Sequence, residues 1–229
     1  MRLVLEPAYI LHAWPYRETS LLLDVFTQNH GRIGVLAKGV KKPKSLAKSL
    51  LQPFVPLFLS CAGKTDLLLL QAVELREPVY FLKGRHLLCA LYMNELCVRL
   101  MHRFDPNAAL FEHYERALAG LLALESEQKV LRIFEKSLLQ ALGYALPLGG
   151  DVLIPEAWYH FDPERGPLLQ TPMPSSSPQS QSLFRGSTLL AFAHERLEDS
   201  GVLSEIKHLM KQVLALYLGP KPLQTRALL

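Results

Sequence analysis

Cysteine is scarce in this chain, and its three occurrences, Cys61, Cys89 and Cys97, are irregularly spaced. That excludes a disulfide framework and predicts a reducing, cytoplasmic setting. Long apolar runs are also missing. The longest candidates are broken by Lys, Asp or Glu before the roughly 20 residues that a bilayer crossing needs. The opening MRLVLEPAYI lacks the extended apolar region and small-residue cleavage site of an export signal. The most informative absence is acidic. Between Asp24 and Asp66 the chain holds seven Lys or Arg (Arg32, Lys38, Lys41, Lys42, Lys44, Lys48 and Lys64) and no Asp or Glu. Outside that window 18 basic residues face 21 acidic ones, so the formal net charge of +4 is the work of this one segment. A positive field so localised predicts a docking surface for a polyanion, centred on GRIGVLAKGVKKPKSLAK at residues 31–48.

Catalytic and metal chemistry find little footing. Cys89 and Cys97 lie two turns apart on an apolar helix, too far to share one ion unaided, and free cysteines in such a setting are ordinarily core residues. His194-Glu195 is not followed by a second His at zinc-protease spacing. GVLAKGVK at residues 34–41 approaches the phosphate-cradling loop, but Val40 stands where the lysine belongs and a strand is in progress. No nucleophile elbow or loop carboxylate pair is present, so the expectation is a protein that is not an enzyme and needs no metal or cofactor.

What is present divides in two. With 49% apolar residues, 229 positions suffice for a large core. Period-two alternation predicts five strands, at residues 8–14, 20–27, 33–38, 53–61 and 66–74, punctuated by Asn29-His30-Gly31 and Gly63-Lys64-Thr65. Five short strands predict a small barrel of OB type, its basic loop lying between the third and fourth. After Pro78 the period becomes helical. A first helix runs from Leu87 towards Phe104, a second is expected to be capped by Asp105, and a third runs from about Ser126 to a stop at Gly143. Later helices are expected at residues 187–199 and 204–218, with Gly219-Pro220 ending the last. Residues 157–161 and 166–170 can form a hairpin, and TPMPSSSPQSQS at 171–182 reads as a linker. The fold class is therefore α+β, with an OB-fold DNA-binding domain at 1–78 and a mostly α-helical domain at 79–229 that carries an irregular excursion at 149–186.

Charge and shape are all that a basic loop requires. Neutralising about five phosphates of a single strand gives a log-log salt slope of roughly −3.5. Rings can add base stacking. Phe26, Phe54 and Phe58, set among Leu and Val, are expected in the barrel core, whereas Trp14 and Tyr16 bracket Pro15 at a strand end and are the pair expected in solvent.

Four blocks, ETSLLLDVFTQNHGRIGVLAKGVKKPKS, LYMNELCVRL, LRIFEKSLLQALGY and YLGPKPLQTRALL, taken in order, resemble the bacterial RecO family of DNA repair proteins. The resemblance implies an OB-fold followed by helices. It also implies a recombination mediator that binds single- and double-stranded DNA, anneals complementary strands and acts with RecR to load RecA onto DNA covered by single-strand-binding protein (SSB). Family members also grip the acidic C-terminal tail of SSB. Carried onto this chain, Arg32, Lys38, Lys41, Lys42 and Lys44 match the DNA-binding face, to which Lys48, Trp14 and Tyr16 are added from the residue pattern. Arg132 matches the arginine of the LRxFE block and is expected to meet a tail carboxylate, with Lys221 and Arg226 in the same role. Some members hold zinc on four cysteines, and the excursion here has none, which implies a zinc-free branch. The rival reading is a protein-interaction adaptor working through its helices; a nuclease ranks third, for want of a carboxylate cluster.

Overall fold

The computed structural model describes residues 1–41, 47–77, 79, 81–148, 153–170 and 183–225. It divides into two compact units, residues 1–124 with 223–229, and residues 125–222.

The first unit is built on β1 (Arg2–Tyr16), β2 (Ser20–Thr27), β3 (Gly31–Ala37), the single turn α1 (Ala47–Leu50), β4 (Leu57–Ala62) and β5 (Leu67–Leu75). The strands close into a barrel in the order β1-β2-β3-β5-β4, with β3 and β5 parallel and β1 sealing against β4. This five-stranded closure is the OB-type barrel that the alternation predicts. One strand serves both seams because β1 is 15 residues long and bends at two register shifts, between Leu3 and Glu6 and between Ile10 and His12. Ile10, Leu23, Val25, Ile33, Val35, Leu57, Leu59 and Leu68 point inward and form a continuous apolar core.

Two helices, α2 (Gly84–Leu100) and α3 (Ala108–Leu122), belong to the same unit. They pack on the outside of β1 and β2. The Tyr9 and Phe26 rings meet Phe111 and Tyr114 at centroid separations of 5.2 to 5.8 Å. Phe26 is thus fully buried, as expected, yet not inside the barrel: its place on the outward face of β2 puts it under α3. Polar groups tie the same joint. The Tyr114 hydroxyl donates to Asn94 Oδ1 (2.6 Å), and Asn94 Nδ2 donates to the Leu11 carbonyl (2.9 Å), all three residues being buried. The cap of α3 is Asn107, whose side chain accepts from Leu110 N (2.8 Å), and not Asp105. Asp105 is committed elsewhere: its backbone lies against Gly31, where a Cβ would stand 2.1 Å from the Asp105 carbonyl oxygen.

Arg32 requires a correction. Asp24, 1% exposed on its side chain, accepts from Arg32 Nε (2.8 Å) and Nη2 (2.7 Å), and Arg32 Nη1 donates to the Met101 carbonyl (3.0 Å). Arg103 Nη2 approaches the same carboxylate at 3.5 Å. The Arg32 guanidinium therefore fastens the end of α2 to the barrel and is withdrawn from the surface expected to meet DNA. The charge window looked uncompensated because Asp24 stands one residue outside it.

The second unit holds α4 (Glu127–Ala141), β6 (Trp158–Asp162), β7 (Gly166–Leu169), β8 (Leu183–Arg185), α5 (Gly186–Ala193) and α6 (Ser200–Leu218). The hairpin β6-β7 gains a third strand, β8, on the far side of β6. The helix anticipated at 187–199 ends at Ala193, where Lys136 Nζ takes the Phe192 and Ala193 carbonyls (3.2 and 2.9 Å). Asp199 instead caps α6, accepting from Val202 N (2.9 Å), so that helix starts earlier than expected. The linker at 171–182 lies outside the described residues.

Near its end the chain returns to the first unit. Glu95 on α2 accepts from Gln224 N, Thr225 N and Thr225 Oγ1 at 2.8, 2.9 and 2.6 Å. Partial burial alone would raise its pKa, but these hydrogen bonds and nearby Arg99 outweigh it and hold the carboxyl below its ordinary value. A lowered carboxylate pKa contributes stability that is complete above the unfolded value of about 4.3 and is lost as pH falls through the folded one. The protection of the Gln224 and Thr225 amides against exchange is therefore expected to fall selectively as pH drops below the ordinary carboxylate range, and Glu95→Gln to abolish that pH dependence. Breaking the buried pair by Asp24→Ala is expected to cost about 3–5 kcal/mol in urea denaturation. Replacing both partners, Asp24→Leu with Arg32→Met, should cost less than that single change.

Candidate nucleic-acid interface

Alternation along β1 sets the site. His12, Trp14 and Tyr16 occupy every second position and project to the outer face, since Ala13 packs inward against the barrel core. The His12 and Trp14 rings are 4.1 Å apart, and the Arg17 guanidinium stands 5.3 Å from the centre of the Tyr16 ring. Trp14 and Tyr16 are 40% and 39% exposed, so the two rings singled out from the sequence do face solvent. His12 and Arg17 extend this ladder, and neither is among the residues expected to act. An i, i+2 aromatic spacing on a strand is the signal that could have found His12.

At the same end of the barrel the turn after β1 and the exit of β3 face each other across an open cleft of about 930 Å³, lined by Tyr16, Arg17, Glu18, Thr19, Ser20, Leu36, Lys38 and Gly39. Gly39, at φ 71°, turns the chain out of β3. The Lys41 amide then donates to the Thr19 carbonyl (2.9 Å), which pins the start of the basic loop beside the β1-β2 turn. Lys38 and Lys48 are exposed and Lys41 is partly so. Among the described residues none of Arg17, Lys38, Lys41 or Lys48 is ion-paired. Lys42 and Lys44 lie outside the described residues.

A third arginine completes the charge. Arg103, in the segment between α2 and α3, lies across β3 at Gly34, where a Cβ would come within 2.8 Å of its Nη1. It shares Asp24 with Arg32, so two guanidiniums meet one carboxylate and a positive charge is left over on the outer face. Arg103 is 43% exposed on its side chain. No local pattern marks it, because Gly34 and Arg103 are far apart in the chain.

In the second unit Arg132 is not presented as an open cation. It was expected to offer its charge to a peptide carboxylate, but its side chain is 5% exposed and its Nη2 donates to Glu135 Oε1 (2.7 Å), one helical turn on and fully buried. The i, i+3 spacing that closes this pair is visible in LRIFEK; what cannot be seen there is that both charges face inward. Lys221 is exposed, and Arg226 lies outside the described residues. A smaller cavity of about 270 Å³, lined by Leu183, Phe184, Ser204, Glu205 and His208, opens between β8 and α6.

Among the described residues no group of three or more His, Cys, Asp or Glu could hold a metal ion. Cys89 and Cys97 are buried on α2, and burial pushes the Cys97 thiol up to about 12, which leaves it neutral and unreactive at ordinary pH. No helix of the described residues is long and apolar enough to cross a membrane.

Comparison with known proteins agrees with this architecture in both halves. Residues 1–79 match the profile of the recombination protein O N-terminal family, and residues 83–227 that of its C-terminal family. Among similar proteins, the "DNA repair protein RecO" of Nitrosococcus oceani is 45% identical over 234 residues, covering 100% of this chain and 94% of the relative. That of Coxiella burnetii strain RSA 331 is 44% identical over 233 residues, covering 100% and 98%. That of Nitrosospira multiformis is 42% identical over 229 residues, covering 98% and 93%. With two family profiles spanning nearly the whole chain and relatives alike from end to end, the protein belongs to the RecO family of DNA repair proteins.

Proposed function

We propose that this protein is a DNA-binding recombination mediator, not an enzyme, that anneals complementary strands and, with RecR, helps load RecA onto SSB-coated single-stranded DNA. The observation that carries the reading is the cleft at the end of the barrel, lined by Arg17, Lys38 and the solvent-facing Tyr16 ring together with Glu18, with exposed Trp14 two residues before Tyr16 on β1 and Lys41 at the start of the basic loop; among the described residues none of these three cations is ion-paired. Cations without carboxylate partners bind phosphates by releasing condensed counterions, and do so on single and double strands alike. Annealing needs little more: positive charge screens the repulsion between two strands, and bases held outward are free to pair. Lys42 and Lys44 extend the same basic segment in sequence. The place of action on this reading is the cytoplasm, at the nucleoid.

The partner readings follow from family membership. Contact with the acidic SSB tail falls to the second unit. There Lys221 is exposed, whereas Arg132 is nearly buried and its Nη2 is engaged with Glu135. Of the two, we favour Lys221 as the first point of attraction.

Lys38→Glu combined with Lys41→Glu is expected to weaken single-strand and duplex binding together. It should also make the salt dependence shallower, by about 1.4 in log-log slope for single strands and about 1.8 for duplex if two phosphate contacts are lost. Strand annealing, followed by fluorescence transfer between labelled complementary oligonucleotides, should slow in parallel. Unaltered binding and annealing would remove the cleft from the mechanism, and a wild-type protein that binds no DNA would favour the adaptor reading.

A further inference from the structure

The register of the barrel places a row of outward side chains across four neighbouring strands. Trp14 on β1 pairs with Leu22 on β2, Leu22 with Leu36 on β3, and Leu36 with Leu69 on β5. Because their chain neighbours Ala13, Leu21, Leu23, Val35, Ala37, Leu68 and Leu70 pack on the barrel core, these four side chains must point away from it. All four retain exposure to solvent, Trp14 most of all. Both banks of the row are positive. On one side Arg17 and Lys38 line the cleft and outnumber its one carboxylate, Glu18; on the other Arg103 lies over Gly34 with charge in excess of what Asp24 neutralises.

On β1, β2 and β3 the outer face closes beyond the row of Asp24 and Gly34. Four residues beyond Leu22 and Leu36, Phe26 and its pairing partner Tyr9 are fully buried under Phe111 and Tyr114, and Arg32 is locked to Asp24 and Met101. A ligand can therefore cross the barrel along the Trp14-Leu36-Leu69 row and cannot spread beyond Arg103. Three inter-strand gaps of about 4.8 Å make the row about 14 Å long, room for about four bases at the stacking distance of about 3.4 Å.

We infer that this row is a base-stacking surface that distinguishes single-stranded from duplex DNA, taking about four unpaired bases on Trp14, Leu22, Leu36 and Leu69 while Arg17 and Lys38 hold the backbone. The inference rests on the DNA-binding reading above and adds selectivity to it. Duplex DNA presents phosphates outward and keeps its base faces stacked inside, so it gains from the cations and nothing from the apolar row. An unpaired strand gains from both. The charge on both banks favours a polyanion over an apolar protein segment as the occupant, and the exposed indole supplies the flat face that stacking needs.

The test uses the full chain with Trp158→Phe, which leaves Trp14 as the sole fluorophore of its kind among the two tryptophans. Titration with a 12-nucleotide oligothymidylate is expected to quench Trp14 emission, and a blunt duplex of equal charge is not. Trp14→Ala and Leu36→Ser, assessed by anisotropy with labelled DNA, should each lower single-strand affinity about tenfold or more. Duplex affinity should stay within about twofold and the salt slope should not change. Trp14→Ala removes an exposed ring and guards against a folding artefact in Leu36→Ser. Equal loss on both DNAs, or no loss on either, while the wild type binds both, overturns the row and leaves the DNA-binding reading standing. A wild-type protein that binds neither removes both.

Discussion

One buried carboxylate organises the first unit. Asp24 projects from the outside of β2, away from the barrel core, and would be stranded in an apolar joint without Arg32 and Arg103. A charge removed from water must be matched by an opposite one at good geometry, or its desolvation is unrepaid. Arg32 supplies a two-pronged match and, with its remaining Nη1, takes the Met101 carbonyl at the end of α2. The Phe104 amide then bonds back to the Arg32 carbonyl (3.0 Å), so the chain leaving α2 runs along β3 like an extra strand fragment. Lysine could not do this, since its single ammonium lacks the planar fork that meets a carboxylate and a carbonyl at once.

That joint decides which part of the barrel is left to meet a ligand. The helices need an apolar platform, and Tyr9 and Phe26 provide it from the outer faces of β1 and β2. Once they are covered, the open part of the face is the end that carries Trp14, Tyr16, Leu22 and Leu36. The barrel thus divides one surface, packing at one end and, on the proposed reading, binding at the other, and the boundary falls at the Asp24 row. The same carboxylate that would weaken attraction for phosphates is placed where two arginines more than cancel it.

Much of this is visible in the sequence because the signals involved are local. Alternation in SLLLDVFT and GRIGVLA specifies two strands to within a residue or two, since a period of two is a property of neighbouring positions. The helical stripe of α4 and the solvent-facing pair Trp14 and Tyr16 are legible for the same reason. What escapes is set by distance along the chain. The pairing of β8 with β6 joins segments over twenty residues apart, and three residues of strand carry too little pattern to announce it. Asp105 looks like a cap because it precedes Pro106, but its backbone is already occupied by Gly31 from the other end of the unit, and the duty passes to Asn107.

The arginines show the same limit in sharper form. Arg32 and Lys38 stand six residues apart in one basic run, yet one is an internal strut and the other a free cation. Strand parity does not separate them, since Arg32 projects from the outer face of β3 and Lys38, one residue past its end, has the same parity. Their surroundings do: Arg32 lies level with Asp24 and the end of α2, while Lys38 lies past the last rung of the strand, beside a turn that carries only Glu18. Arg132 repeats the lesson on a helix, where Glu135 one turn away converts a charged position into a buried one. A count of positive residues therefore overstates the field that DNA can feel. On the proposed reading, what governs affinity is the subset of the basic run whose carboxylates lie elsewhere, and among the described residues that subset includes Lys38 and Lys41, where β3 gives way to the basic loop.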